Sequence, residues 1–204
     1  DGCGKSSIID ALTKEGEPLE SYMVCKHPPQ AWFDNPKIRA AYLDEEGEKI
    51  EDEEEIQFTH DIRRQEEKEI ILPTLLKQKN MVYHRYIFSL YAYYTGINKL
   101  SVAELTEIYS DLLLPDKVIY LKMSVEEFYR RFQSKEQLSY QKNIDYVKRV
   151  MQCYEELAKK YNWAIVDTEH NTLEESIVQV RDIIGNVQVT DQFYNLKNEI
   201  YQPL

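Results

Sequence analysis

The run Asp1-Gly2-Cys3-Gly4-Lys5-Ser6-Ser7 holds the chemistry that is easiest to read in this chain. Two glycines two positions apart let the backbone curl its N–H groups around phosphate oxygens. A helix starting just after them adds the positive end of its dipole at the same point. The run fits the end of the pattern G-x-x-x-x-G-K-[ST]. In that pattern Lys5 reaches the β- and γ-phosphates of a nucleoside triphosphate and the Ser6 hydroxyl ligates Mg²⁺, while Gly2, Cys3, Gly4, Lys5, Ser6 and Ser7 form the cradle. The pattern also asks for an earlier glycine and a buried strand before it, so a further strand of roughly 6–10 residues is expected upstream of Asp1.

The second group is His84-Arg85-Tyr86-Ile87-Phe88-Ser89-Leu90-Tyr91-Ala92-Tyr93-Tyr94, directly after the apolar run 80–83. Ligands of open α/β sheets bind at the C-terminal ends of the strands, and a guanidinium there suits bidentate contact with phosphate. Read by periodicity alone, the same segment is also a surface arginine ahead of an aromatic core helix.

Around these groups the pattern is that of one α/β domain. Short apolar or β-branched runs at 21–25, 80–83, 117–122 and 163–167 read as strands. Segments of helical period lie at 6–14, 54–77, 102–113, 125–132, 143–161 and 173–184. Strands alternating with helices predict a parallel sheet, and with the phosphate loop they predict the three-layer α/β/α P-loop NTPase architecture. The tail 186–204 shows mixed character and stays unassigned.

The chain has 204 residues, 43% of them hydrophobic and 30% charged, enough for one packed core. No apolar run approaches the roughly 18–20 residues of a membrane span. The net charge of −11 disfavours sequence-independent nucleic-acid binding. Much of the acid sits in 44–55, a solvated face on the simplest reading. A small anionic ligand remains compatible, because a local cluster of Arg and Lys decides one pocket. Cys3, Cys25 and Cys153 are scattered, which predicts free thiols in a reducing, cytoplasmic setting.

The ordered set of motifs resembles the thymidylate kinases over residues 1–184. Their D-G-x-G-K-[ST] loop is similar to the start of this chain, and their D-R-[YH]-x-x-S-x-x-A segment to His84–Tyr94. Ile56-Gln57-Phe58 with Arg63-Arg64, Ile70-Ile71-Leu72-Pro73, Pro115-Asp116-Lys117-Val118-Ile119-Tyr120-Leu121, Arg149 with Tyr154-Glu155-Glu156-Leu157-Ala158, and Val166-Asp167 with Leu173-Glu174-Glu175 follow in the family's order. The resemblance implies transfer of the γ-phosphate of ATP, with Mg²⁺, to a nucleoside monophosphate, dTMP above all. It implies that Arg85 contacts the transferred phosphoryl group and that Asp1 lies near the acceptor. Arg63 or Arg64 would hold the acceptor's phosphate or base, Phe58 or His60 would stack near the base, and Tyr93 would lie beside it. It also implies a homodimer.

Three departures stand out. His84 replaces the family's Asp before the arginine. The segment after the first strand reads Lys26-His27-Pro28-Pro29-Gln30 and lacks the family's Arg. The lid, about 132–142, also lacks its Arg, so Arg130, Arg131 or Lys135 is expected to supply that cation, with Tyr140 touching the base. A nucleoside acceptor, a monophosphate of another base, and a non-catalytic nucleotide-binding module are the competing expectations. A nucleoside kinase would need a carboxylate near the acceptor hydroxyl, and none follows the strand at 21–25 clearly.

Overall fold

The computed structural model describes residues 2–26, 34–43, 52–96, 100–132 and 143–185. Four short strands lie in it: β1 (Met23–Lys26), β2 (Met81–His84), β3 (Ile119–Lys122) and β4 (Ala164–Asp167). They agree with the four runs expected from sequence to within two residues at each end. They form two parallel pairs. Cys25 lies opposite Tyr83 in the β1–β2 pair, and Leu121 opposite Val166 in the β3–β4 pair. Parallel strands need crossover helices, which supplies the alternation read in the sequence.

Helix α1 (Lys5–Leu12) leaves the glycine loop and packs with the last helix, α9 (Leu173–Gly185), over one face. Ile8, Leu12, Leu19, Val166 and Val180 bury together there. The opposite core is larger. It gathers around α5 (Ile87–Gly96) and α8 (Ile144–Lys160), which bury Ile87, Leu90, Tyr91, Ala92, Val147, Val150 and Leu157. Each buried Ile, Leu or Val among these contributes roughly 1.5–3 kcal/mol by leaving water. The two helices touch at Gly96. A Cβ at that position would stand 2.5 Å from Val150 Cγ2 and 3.2 Å from Tyr146 Cε2.

The long helical segment expected at 54–77 is one rod in three parts: α3 (Asp52–Glu66), a π-helical turn (Glu67–Ile71) and α4 (Leu72–Leu76). Pro73 lies in the first turn of α4. Having no N–H to give, it fits where the hydrogen-bond register changes. The helix expected at 102–113 is shorter: α6 (Val102–Ile108) ends early and Tyr109–Leu112 continues in turns. Its start is fixed by a capping box in which the Ser101 hydroxyl accepts from the Glu104 N–H and Glu104 reaches back to the Ser101 N–H. Helix α7 (Val125–Phe132) precedes the lid segment. Helix α2 (Pro36–Leu43) was not expected, and α5 was anticipated only as the alternative to a ligand-facing arginine.

Among the described residues, β2 and β3 pair with no strand on the sides that face each other. Between them runs an apolar cleft of about 820 Å³, walled by β2, β3, α1, α8 and α9 and ending at Cys3, Lys5 and Arg85.

Candidate active site

Gly2 and Gly4 both take left-handed backbone angles, with φ of 74° and 82°. A side chain at either would oppose that turn, which is why the cradle is written in glycine. Gly4 caps α1 with no side-chain acceptor. The first amides of α1 therefore keep their donors for an incoming oxygen. Lys5 folds back over the loop, its Nζ 3.3 Å from Cys3 Sγ. Its pKa lies below the ordinary lysine value, first because its ammonium has lost solvent and next because the Arg85 cation is near. Burial opposes ionisation of the Cys3 thiol, yet the surrounding cations, Lys5 foremost, outweigh it and hold its pKa below the ordinary value. Two cations crowded together in a poorly solvated loop are stabilised by an anion with several oxygens.

Arg85 follows the last residue of β2 with φ of 75°, a left-handed conformation rare for a residue with a side chain. That strain costs about 1–3 kcal/mol and aims the guanidinium at the loop. The arginine is held there by Tyr93. Its Nη1 donates to Tyr93 Oη at 2.7 Å, and its charge lies 5.4 Å from the centre of the same ring. Tyr93 in turn stacks with Tyr146 of α8. His84, one residue earlier, brings its Nε2 to 3.4 Å from Ser6 Oγ. Lys5, Ser6, His84, Arg85 and Tyr93, expected together from two distant motifs, thus share one mouth at the strand ends. Ser7 is exposed on the first turn of α1.

Arg131 also reaches this mouth. It donates from Nη1 to the Gly2 carbonyl at 3.2 Å and from Nη2 to the Thr168 carbonyl, and its Nε bonds Glu127 at 2.5 Å. One side chain therefore ties α7, the phosphate loop and the turn after β4. Arg130, with its side chain 69% exposed, is gripped by the same Glu127. The two guanidinium partners hold the Glu127 carboxyl down at about 2. Arg131 is one of three cations that the sequence offers for the lid, with Arg130 and Lys135, and its strap to Gly2 and Thr168 leaves no sequence signal. Glu127 itself was legible as the acid three and four residues before two arginines. Asp1, Tyr140, Lys135 and the lid segment 133–142 lie outside the described residues.

On α3 the structure separates the two adjacent arginines. Arg64 is exposed and turns outward to Asp111, Nε to Oδ2 at 3.0 Å. Arg63 is fully buried, paired with Glu66 and lying 5.5 Å from the centre of the Tyr86 ring. Its Nε and Nη2 have no hydrogen-bond partner. Of the two residues expected near a base, His60 is engaged elsewhere, bonded to Asp111 at 2.8 Å and set against the Tyr109 ring. Phe58 is half-buried on the same helix.

A glycine loop feeding a helix, a lysine folded over it, and an arginine at the tip of the neighbouring parallel strand define a P-loop phosphotransferase site. The chain belongs to the thymidylate kinase family, whose model matches residues 1–179. It is 30% identical over 168 residues to the thymidylate kinase of Mycoplasmopsis agalactiae, covering 77% of each chain. It is 30% identical over 203 residues to the probable thymidylate kinase of Archaeoglobus fulgidus, covering 97% of this chain and 94% of that one. The thymidylate kinase of Coprothermobacter proteolyticus is 28% identical over 204 residues, with 93% and 95% covered. No helix among the described residues is long and apolar enough to cross a membrane.

Proposed function

We propose that this chain transfers the γ-phosphate of ATP to dTMP, giving dTDP and ADP, in the cytoplasm and as a homodimer. The observation that carries the reading is that Lys5 and Arg85 line the same cleft, where the lysine's pKa is lowered first by loss of solvent and next by the nearby arginine. A donor and an acceptor both arrive there as anions. The backbone amides of Gly4 to Ser6 and the Lys5 ammonium hold the donor's terminal phosphates. Arg85, fixed by Tyr93, neutralises charge on the transferred group as the bond to ADP breaks and the bond to the acceptor's phosphate oxygen forms. That acceptor oxygen is already anionic, so no strong base is required, and positioning with charge neutralisation supplies the rate. Two nitrogens of Arg63 are buried and unpartnered while Arg64 pairs with Asp111, which supports Arg63 as the arginine that reads the acceptor.

The residues also suit a divalent cation carried in with the nucleotide. Mg²⁺ is commonly held by one or two protein groups plus substrate phosphates. The Ser6 hydroxyl offers one such group, and no acidic, His or Cys cluster among the described residues forms a separate cage. Bound there, the ion would supply charge neutralisation between the β- and γ-phosphates. Ser6 would hold it, and the loop amides would orient the phosphates.

An ADP-release assay with ATP and Mg²⁺ tests the reading against dTMP, dUMP, other monophosphates and thymidine. Turnover fastest with dTMP is expected, and Lys5→Ala should lower kcat/KM by at least about 10³-fold while the far-ultraviolet spectrum stays unchanged. Turnover with thymidine alone would make the chain a nucleoside kinase. Triphosphate binding without turnover would make it a binding module.

A further inference from the structure

The contact between Ser6 and His84 reaches further than phosphate binding. His84 Nε2 lies 3.4 Å from Ser6 Oγ at the edge of the loop. Two neighbouring ligands of an octahedral ion with bonds near 2.1 Å sit about 3 Å apart, so closing this hydrogen-bonded pair by a few tenths of an ångström brings the oxygen and the nitrogen to ligand spacing. The pair is built from opposite ends of the sequence: α1 fixes Ser6 in its first turn, and the last residue of β2 fixes His84. The backbone there is constrained, because Arg85 follows in its left-handed conformation and is tied to Tyr93.

We propose that His84 is a direct ligand of the nucleotide-bound cation, and that it shifts the site's preference from Mg²⁺ toward ions that accept nitrogen, such as Co²⁺. This rests on the phosphate-binding reading of the loop. A hard ion such as Mg²⁺ favours carboxylate, carbonyl and water oxygens, whereas imidazole suits the later first-row metals, whose affinities rise from Mn²⁺ through Co²⁺ to Ni²⁺. A site with one hydroxyl oxygen and one imidazole nitrogen therefore discriminates differently from one with two oxygens. The consequence is a specificity-determining role: which metal–ATP complex the enzyme selects from a mixture is set at position 84.

The test uses the intact chain and a non-hydrolysable ATP analogue, with Mg²⁺ or Co²⁺ as the added metal. Binding is measured by calorimetry in both metals for the wild type, His84→Gln and His84→Asp, and each Co²⁺ complex is examined by proton NMR. The wild-type Co²⁺ complex should show a strongly shifted, exchangeable imidazole N–H resonance that His84→Gln lacks. His84→Asp should move the Co²⁺-over-Mg²⁺ affinity ratio toward Mg²⁺ by about tenfold. If the shifted resonance is missing from the wild type and the ratio is the same in all three proteins, His84 is not a ligand. Lys5→Ala separates the two levels of failure. If the His84 signals fail while Lys5→Ala still weakens nucleotide binding in both metals, the phosphate reading stands and the His84 role alone falls. Should the wild type bind no nucleotide, both fall together.

Discussion

At the scale of single residues, the site spends stability to hold charge. Arg85 adopts a left-handed backbone and Lys5 sits with an ammonium stripped of solvent beside it. Both are unfavourable in the free protein; an arriving anion relieves the crowded charge, while the backbone strain is the standing cost of aiming the guanidinium. Arg85→Gly separates the two halves of this trade. Glycine accepts φ of 75° without strain and removes one of the two crowded cations, so the ligand-free variant should melt a few degrees higher, corresponding to about 1 kcal/mol. Phosphoryl transfer should fall by about 10³-fold or more, as it does when a charge-neutralising arginine is lost. Differential scanning calorimetry and the ADP-release assay read the two effects. A variant that melts lower would mean that the Arg85–Tyr93 bond outweighs the backbone strain. The motif made Lys5 and Arg85 legible in sequence, because glycine spacing and a strand end imply a location. Arg63 is not separable from Arg64 by sequence, since the two are adjacent and the register of the motif is ambiguous between them. Only the packing of Tyr86 against α3 and the pairing with Glu66 one turn along the same helix turn one of them inward.

Elements set how those residues are held, and here α5, α7 and α8 matter most. Gly96 lets α5 approach α8, and Tyr146 at that junction stacks on the Tyr93 that holds Arg85. Gly96→Ala places a methyl 2.5 Å from Val150 Cγ2, a contact that has to push the helices apart. A loss of about 1–3 kcal/mol is expected. Adding Val150→Ala opens room, so the double variant should recover part of that loss in urea unfolding, and simple addition of the two single losses would refute the contact. Helix α7 is tied to the phosphate loop through Glu127 and Arg131, and its contribution depends on pH. The Glu127 carboxyl sits at about 2 in the folded protein against 4.5 in its ordinary state. A depressed carboxylate stabilises the fold fully above its ordinary value and loses that contribution as pH falls toward its folded value. The melting temperatures of the wild type and Glu127→Gln should therefore differ at pH 6 and converge by about pH 2. A difference that stays constant with pH would show that the charge is not what ties the helix. The strands and most helices were legible because their apolar periods are local. The α7 strap was not, because Arg131 and Gly2 are 129 residues apart and no period connects them. Helix α5 was ambiguous for another reason: it is apolar almost all round, and buried on nearly every side it has no polar face to give a period.

Taken as a whole, the described residues form two parallel half-sheets joined by the helices on their faces. The cleft of about 820 Å³ between β2 and β3 has a strand edge on either side and apolar helices over both faces, and it opens at its upper end onto the glycine loop. Met81, Val82 and Tyr83 line one wall and Ile119, Tyr120 and Leu121 the other. Such a space suits a continuous apolar strand buried on both faces, running parallel to its neighbours and delivering the chain into Gly2, the strand–loop–helix order that phosphate loops use. The two half-sheets would then become one five-stranded sheet, and the loop that grips phosphate would be anchored from behind. Extending the chain ahead of the glycine loop by 6–10 residues rich in Val and Ile is therefore expected to raise the melting temperature by several degrees. Hydrogen exchange gives the position-specific check. Backbone amides within 81–84 and 119–122 should become strongly protected in the extended chain, and nucleotide affinity should rise with them. A higher melting temperature without that local protection would place the added segment somewhere other than the cleft.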